Sequence, residues 1–314
     1  MPKRRVHVAA AAIFNDQGQV LIARRPSIAD QGGLWEFPGG KLAPYETGLE
    51  ALTRELREEL GVSIRRAQPL IRVHHEYPDK HVLLDVWETR HFDGTPWGRE
   101  GQAVRWVDIA ELGRYAFPAA NDPIIRAVIL PHDYMITGET DDEQTFDQML
   151  ERALSEDGIR LVQLRAHGLS DQAYQARARR ALDICRRHEA RLILNCSLAL
   201  SQTLEADGLH LTSRRLMSLE RRPVDDSVWL SASTHDQQQL DQAKRIGCDF
   251  ATLSPVRETP SHPGAVTIGW HDLQQMVEYA TMPVYALGGT SREDSDRARS
   301  VGAQGIASIR DFWR

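Results

Sequence analysis

No stretch of this 314-residue chain approaches the run of about 18 apolar residues that a membrane-spanning helix needs. Cysteine is scarce too. Cys185, Cys196 and Cys248 form an odd, scattered set without metal-ligand spacing, and a reduced cytoplasm is the compartment such usage fits. There is no excess of positive charge: the formal net charge is −6, which argues against a general nucleic-acid binder. An acidic protein that handles a polyanion needs local neutralisation, and a metal ion is the direct route. The basic start MPKRRVHVAA is not followed by a long apolar segment, so it is expected to enter a strand rather than to be a secretory signal. Low-complexity sequence is absent as well. What remains, 41% hydrophobic and 26% charged residues, is a globular composition long enough for two domains.

The first half reads as mixed α/β. VHVAAAAIF (6–14) is a candidate buried strand, followed by a turn at 15–18 and a second strand, QVLIARR. A helix is expected from about Leu49 to Leu60, with Thr47 as N-cap, Glu50 completing a capping box and Gly61 as the stop. The runs PLIRVHHEYP, HVLLDVWETRHF and AVRWVD read as strands, and a last helical segment falls near 124–129. Trp35, Trp97 and Trp106 are expected in the core, as single aromatics in strands usually are.

The second half has another rhythm. Eight short apolar runs, beginning near residues 134, 161, 191, 208, 228, 250, 284 and 305, alternate with helix-forming segments. That alternation predicts a parallel sheet. The number eight favours a closed (β/α)₈ barrel, with a doubly wound open sheet as the alternative. The boundary should lie near 130–133, where Pro131 ends the preceding helix, and the short connection suggests closely packed halves.

The chemistry concentrates around the expected helix. Glu55, Glu58 and Glu59 stand at i, i+3 and i+4, so all three project from one side. Leu49, Leu52, Leu56 and Leu60 form a separate stripe that should anchor the helix. Three like charges so close repel one another and destabilise the helix. A hard cation removes the repulsion, and Mg²⁺ takes carboxylate oxygens together with substrate phosphates. Gly39-Gly40, ahead of the helix, let the backbone approach a metal or phosphate. Glu58-Glu59 alone would be an ordinary solvated face. The full spacing, Gly40-X₅-Glu46-X₇-Arg54-Glu55-Leu56-X-Glu58-Glu59-X-Gly61-Val62, satisfies every position of the Nudix hydrolase signature.

The resemblance to that family runs from residue 6 to about 130. WEFPGGK, YPDKH, GTPWGREGQ and FPAANDP look like the MutT branch, the 8-oxo-dGTP diphosphatases. It implies a metal shell of Gly39, Glu55, Glu58, Glu59 and Glu100, loaded with Mg²⁺ or Mn²⁺, with Glu55 and Glu100 as candidate bases. It also implies attack at the β-phosphorus, giving a nucleoside monophosphate and pyrophosphate. Arg54 is expected to pair with Glu46 and fix the loop before the helix, since a planar guanidinium holds carboxylates well. Asn121 matches a base-reading asparagine, whose amide offers a donor and an acceptor side by side; without the resemblance, Asn-Asp before Pro123 would be a turn and a cap. Arg25 and Phe37 match pocket positions, Arg25 toward the nucleotide and Phe37 toward either the base or the core.

From Asp133 onward the chain is similar to thiamine-phosphate synthase and its TenI-like tautomerase relatives. YMIT, VQLR, LILN, DGLHL, SASTH, LSPVRETPSHPG, ALGG and GAQGIAS carry that resemblance. Gly288-Gly289 fit a phosphate cradle of backbone amides. Four positions depart from the synthase pattern. His167 and His262 replace lysines, Cys196 follows Asn195 where an aspartate is expected, and a second aspartate gives way to about Arg215. Two implied metal ligands and a diphosphate-binding lysine are therefore missing. His235 is retained, and a tautomerase needs a proton carrier rather than a metal; a barrel that only binds a ligand or serves as scaffold is the alternative.

The expectation is therefore an α/β chain: a Nudix α/β/α sandwich with a mixed sheet at 1–131 and a (β/α)₈ TIM barrel at 132–314. The first is expected to be an Mg²⁺-dependent 8-oxo-dGTP diphosphatase, or alternatively to hydrolyse another diphosphate such as a thiamine-pathway metabolite. The barrel is expected to take a phosphorylated thiazole or another phosphate ligand, with no nucleic-acid or membrane partner.

Overall fold

The computed structural model describes residues 4–28, 31–140, 142–259, 264 and 266–314. His262, named above, lies outside the described residues. The chain divides into two compact units, residues 1–129 and 130–314.

In the first unit the strands are β1 (Arg4–Ile13), β2 (Val20–Arg24), β3 (Trp35–Glu36), β4 (Gly39–Lys41), β5 (Ser63–Glu76), β6 (Lys80–Asp93) and β7 (Val104–Val107). Two helices accompany them, α1 (Gly48–Leu60) and α2 (Asp122–Ile129). One sheet has the order β4-β1-β6-β5 and is mixed, because β1 runs parallel to β6 and antiparallel to β4. The other has the order β3-β2-β7.

β1 explains the layering. Its odd-numbered residues Ala9, Ala11 and Ile13 pack with Leu52, Leu56 and Leu60 of α1. Its even-numbered residues Ala10 and Ala12 pack with Ile124, Ala127 and Val128 of α2. A strand alternates its side chains between two faces, and here both faces are covered, so VHVAAAAIF is apolar throughout. The small alanines let the helices come close. α1 begins as expected, with both halves of the Thr47–Glu50 capping box formed, and Gly61 ends it in the left-handed conformation at φ 71°.

Two sequence expectations fail here. Leu49 is 39% exposed, because it lies in the first turn of α1, at the edge of the buried stripe. Trp97 is 58% exposed; it follows β6 in a loop instead of standing in a strand. Trp35 and Trp106 are half-buried, packed against Tyr115 and Phe92.

The second unit is a closed barrel of parallel strands: β8 (Asp133–Ile136), β9 (Leu161–Leu164), β10 (Arg191–Leu194), β11 (Gly208–Leu211), β12 (Trp229–Thr234), β13 (Phe250–Leu253), β14 (Val284–Leu287) and β15 (Gly305–Ser308). Pairing of β15 with β8 closes it, which rules out the open sheet. Tyr134, Leu161, Ile193, Phe250 and Tyr285 fill the interior, with Tyr134 and Phe250 edge to face at 5.4 Å. The larger apolar core lies between the strands and the surrounding helices, among them α3 (Glu143–Ser155) and α4 (Asp171–Arg187).

Candidate active site

Arg54 organises the start of the acidic helix. Its Nε and Nη2 donate to the two oxygens of Glu46 at 2.9 and 2.8 Å, its Nη1 donates to Glu55 at 2.8 Å, and Nη2 also reaches the Lys41 carbonyl at 3.1 Å. Glu46 further accepts from the Ala43 amide at 2.8 Å. Arg54 first, and that amide second, hold the Glu46 carboxyl down at about 2. The loop between β4 and α1 is thereby closed by a bidentate ion pair, the role expected of Arg54.

Glu55 points from α1 toward β4. Its carboxylate occupies the space beside Gly40 where any other residue would carry a Cβ. Gly39 is required for another reason: its φ is 149°, and a Cβ there would meet the Ala9 carbonyl at 2.1 Å.

Glu100 comes from far along the chain. Its loop docks on the C-terminal end of α1, whose last carbonyls have no partner within the helix. The Trp97 amide donates to Leu60 O at 3.2 Å, the Arg99 amide to Glu59 O at 2.9 Å, and Gln102 Nε2 to Glu59 O at 3.2 Å. The Glu100 amide in turn donates to the Gln102 side chain at 2.9 Å. The result is a concentration of negative charge on Glu59. Burial first, then the charges of Glu55, Glu100, Glu36 and Glu58, push its carboxyl up to about 7. Glu36 was not singled out from the sequence. It stands on β3, paired with Arg25, and burial raises its carboxyl despite that partner. Its signal would have been its place beside the glycine turn, in WEFPGG.

Among the described residues no three His, Cys, Asp or Glu side chains are gathered tightly enough to form a metal site as they stand. Glu55 is engaged by Arg54, the Glu58 side chain is 59% exposed, and Glu100 is exposed. The electrostatics nevertheless fit a divalent cation. Carboxylates that raise one another's protonation are what a hard cation relieves, and the donors are oxygens.

Of the nucleotide-contact candidates, Phe37 is buried and stacks on Phe117 at 5.7 Å, within the α2-side core. Asn121 is 8% exposed in the turn before α2, its backbone N–H donating to Pro118 O at 2.8 Å. Arg25 follows β2 and pairs with Glu36, the neighbour of Phe37. Phe117 links Phe37 to the segment that carries Asn121, so the fold brings these two to one region, while Arg25 stays with Glu36.

The barrel has a cavity of about 720 Å³ at the C-terminal ends of its strands, where barrels place their sites. His235, Gly288 and Gly289 line it. His235 Nδ1 donates to the Ser254 carbonyl at 2.8 Å, which leaves Nε2 as the acceptor. Gly288 and Gly289 have φ of 94° and 68°, and Cβ atoms there would meet Pro255 at 2.8 Å and Glu258 O at 2.5 Å. Close approach to that segment alone therefore demands glycine at both positions. Beneath the cavity, His210 is fully buried with Nδ1 2.8 Å from Ser231 Oγ and Nε2 2.7 Å from Ser233 Oγ. Ser233 and Gln163 line the cavity, and Gln163 accepts from Tyr134 at 2.8 Å. This network was invisible in the sequence, because its members come from four strands.

Comparison with known proteins divides the chain in the same way. The model of the NUDIX domain matches residues 9–127, and that of thiamine monophosphate synthase matches residues 133–312. The 8-oxo-dGTP diphosphatase of Escherichia coli (strain K12) is 35% identical over 122 residues, covering 39% of this chain and 95% of that protein. The CTP pyrophosphohydrolase of the same organism is 38% identical over 117 residues, 37% of this chain and 87% of that protein. The thiamine-phosphate synthase of Fusobacterium nucleatum is 25% identical over 178 residues, 56% of this chain and 86% of that protein. The chain therefore belongs to two families at once, a Nudix hydrolase domain of the MutT kind followed by a barrel of the thiamine-phosphate synthase and TenI family.

Proposed function

We propose that the Nudix half hydrolyses 8-oxo-dGTP to the monophosphate and pyrophosphate. The observation that carries this reading is the clustering of Glu55, Glu58, Glu59 and Glu100 charge around one helix, with Glu59 pushed up to about 7. Gly39, Glu55, Glu58, Glu59 and Glu100 would hold Mg²⁺ or Mn²⁺. When bound, the cation neutralises the triphosphate and lowers the pKa of water. The protein's own share is positional. Arg54 fixes the loop through Glu46 and orients Glu55, and Glu55 or Glu100 takes the proton of the attacking water. Asn121 reads the purine edge, Arg25 contacts the nucleotide, and Phe37 with Phe117 forms an apolar wall near the base. The two relatives that match the Nudix half are an 8-oxo-dGTP diphosphatase and a CTP pyrophosphohydrolase, which supports a nucleotide substrate.

The barrel is assigned no synthase reaction, because Cys196, Arg215 and His167 stand where metal and diphosphate groups are needed. A phosphorylated thiazole is its proposed ligand and His235 its proton carrier. Cys185, Cys196 and Cys248 are free and buried, which suits a reducing cytoplasm, and no helix among the described residues is long and apolar enough to cross a membrane.

The deciding experiment is a panel of 8-oxo-dGTP, dGTP, CTP and thiamine diphosphate, assayed with Mg²⁺ for released pyrophosphate or phosphate. The highest kcat/KM is expected for 8-oxo-dGTP. Faster turnover of CTP or thiamine diphosphate would replace this substrate, and formation of thiamine phosphate from its two precursors would overturn the reading of the barrel.

A further inference from the structure

The synthase family implies a divalent cation held by acidic side chains at the mouth of the barrel, and the residues of this chain do not fit one. Cys196 is 6% exposed, and burial pushes its thiol up to about 11. A buried neutral thiol is a poor ligand for a hard cation. At the second position Arg215 does not turn into solvent. Its Nη1 donates to the backbone carbonyl of Cys196, which holds the guanidinium at the C-terminal end of β10. His167, Cys196 and His210 all feel its charge.

The cavity beside it agrees in sign. Arg165 and Arg310 line it, Arg215 stands next to it through its bond at the residue after the lining Asn195, and among the described residues that line it none is acidic. Among the described residues the carboxylate paired with Arg165 is Glu139, 4.0 Å away and 57% exposed. A contact that long and that wet holds little. His167, lowered by burial first and then by Arg165 and Arg215, offers a neutral imidazole at pH 7. Asn195 adds an amide to the same wall.

We propose that this mouth is a metal-independent anion site, in which the guanidinium groups of Arg215 and Arg165, with the Asn195 amide, hold a phosphoryl group of a small ligand where the family pattern would place a divalent cation. Guanidinium suits such a site because it is always charged, planar and matched to phosphate oxygens. A fixed cation removes the need for a metal and makes binding indifferent to chelators.

The test uses the full-length protein and inorganic pyrophosphate, titrated calorimetrically in EDTA. EDTA silences the metal-requiring Nudix half, and the Glu59→Gln protein in parallel should bind identically. Saturable binding is expected in EDTA, weakened about tenfold or more by Arg215→Gln and by Arg165→Gln, with Arg215→Lys retaining part of it. Among the described residues the ion pair of Arg165 is the long contact to Glu139, so Arg165→Gln is expected to keep the fold and decides the matter even if Arg215→Gln does not. Binding that appears only when Mg²⁺ is added, or that both arginine substitutions leave unchanged, would overturn the proposal.

Discussion

The carboxylate carbon of Glu55 lies 2.2 Å from the point where a Cβ on Gly40 would stand. A glycine in a short strand and a glutamate on a helix fifteen residues later thus share one space. The substitution Gly40→Ala separates fold from chemistry. Gly40 has a backbone conformation open to alanine, and the displaced atoms are the far end of a flexible side chain. Stability should change by less than about 1 kcal/mol, while misplacement of Glu55 should lower kcat by about a hundredfold. Gly39→Ala, by contrast, meets the Ala9 backbone and should damage the fold itself. Thermal melts and steady-state kinetics on both variants check this; a fully active Gly40→Ala would remove Glu55 from the reaction.

Glu59→Gln should gain stability and lose activity. The folded-state value of Glu59, about 7, lies above the ordinary 4.5. The folded metal-free protein therefore holds the proton more tightly than the unfolded chain, and this residue subtracts stability as pH rises from about 4.5 through about 7. In EDTA at pH 8 the variant should melt at a higher temperature than the parent, while its Mg²⁺-supported turnover should drop about a hundredfold. Near-normal turnover would take Glu59 out of the metal set, and an unchanged melt would dismiss the repulsion.

Asn121→Ala should blur base selection more than it slows hydrolysis. Losing a paired amide contact is worth about 1–3 kcal/mol, and phosphate contacts are untouched. The ratio of kcat/KM for 8-oxo-dGTP over dGTP should fall about tenfold or more. An unchanged ratio would place base reading elsewhere.

The acid limb of barrel stability should depend on His210. Burial pushes this imidazole down to about 3, with Arg215 adding to the shift. The unfolded chain takes up a proton below about 6.5 and the folded one does not, so stability is lost as pH falls from about 6.5 toward 3. Between pH 6.5 and 5 the loss amounts to about 2 kcal/mol at most. His210→Gln keeps a hydrogen-bonding side chain between Ser231 and Ser233 without a titrating group. Urea midpoints at pH 7 and pH 5 should differ less in the variant than in the parent; equal differences would show that other groups set the acid limb.

Much of this protein follows from its sequence because the relevant forces act locally. Eight apolar runs predicted eight barrel strands, and the doubly buried run at 6–14 predicted β1, since periodicity reports which faces are covered. Thr47, Glu50 and Gly61 marked the ends of α1 through contacts within a turn of the chain. The i, i+3, i+4 spacing of Glu55, Glu58 and Glu59 placed their charges together before any tertiary contact was known. Tertiary structure decided what depends on distant segments. The docking of residues 97–102 on the end of α1 carried Glu100 toward Glu59, and β3 added Glu36 to the same field. The exposure of Leu49 and Trp97, the bond that turns Arg215 onto the Cys196 carbonyl, and the His210–serine network each depend on partners many residues away. Helical and strand periods encode which side a residue faces. Which distant group meets it there is set only when the sheets, loops and helices close on one another.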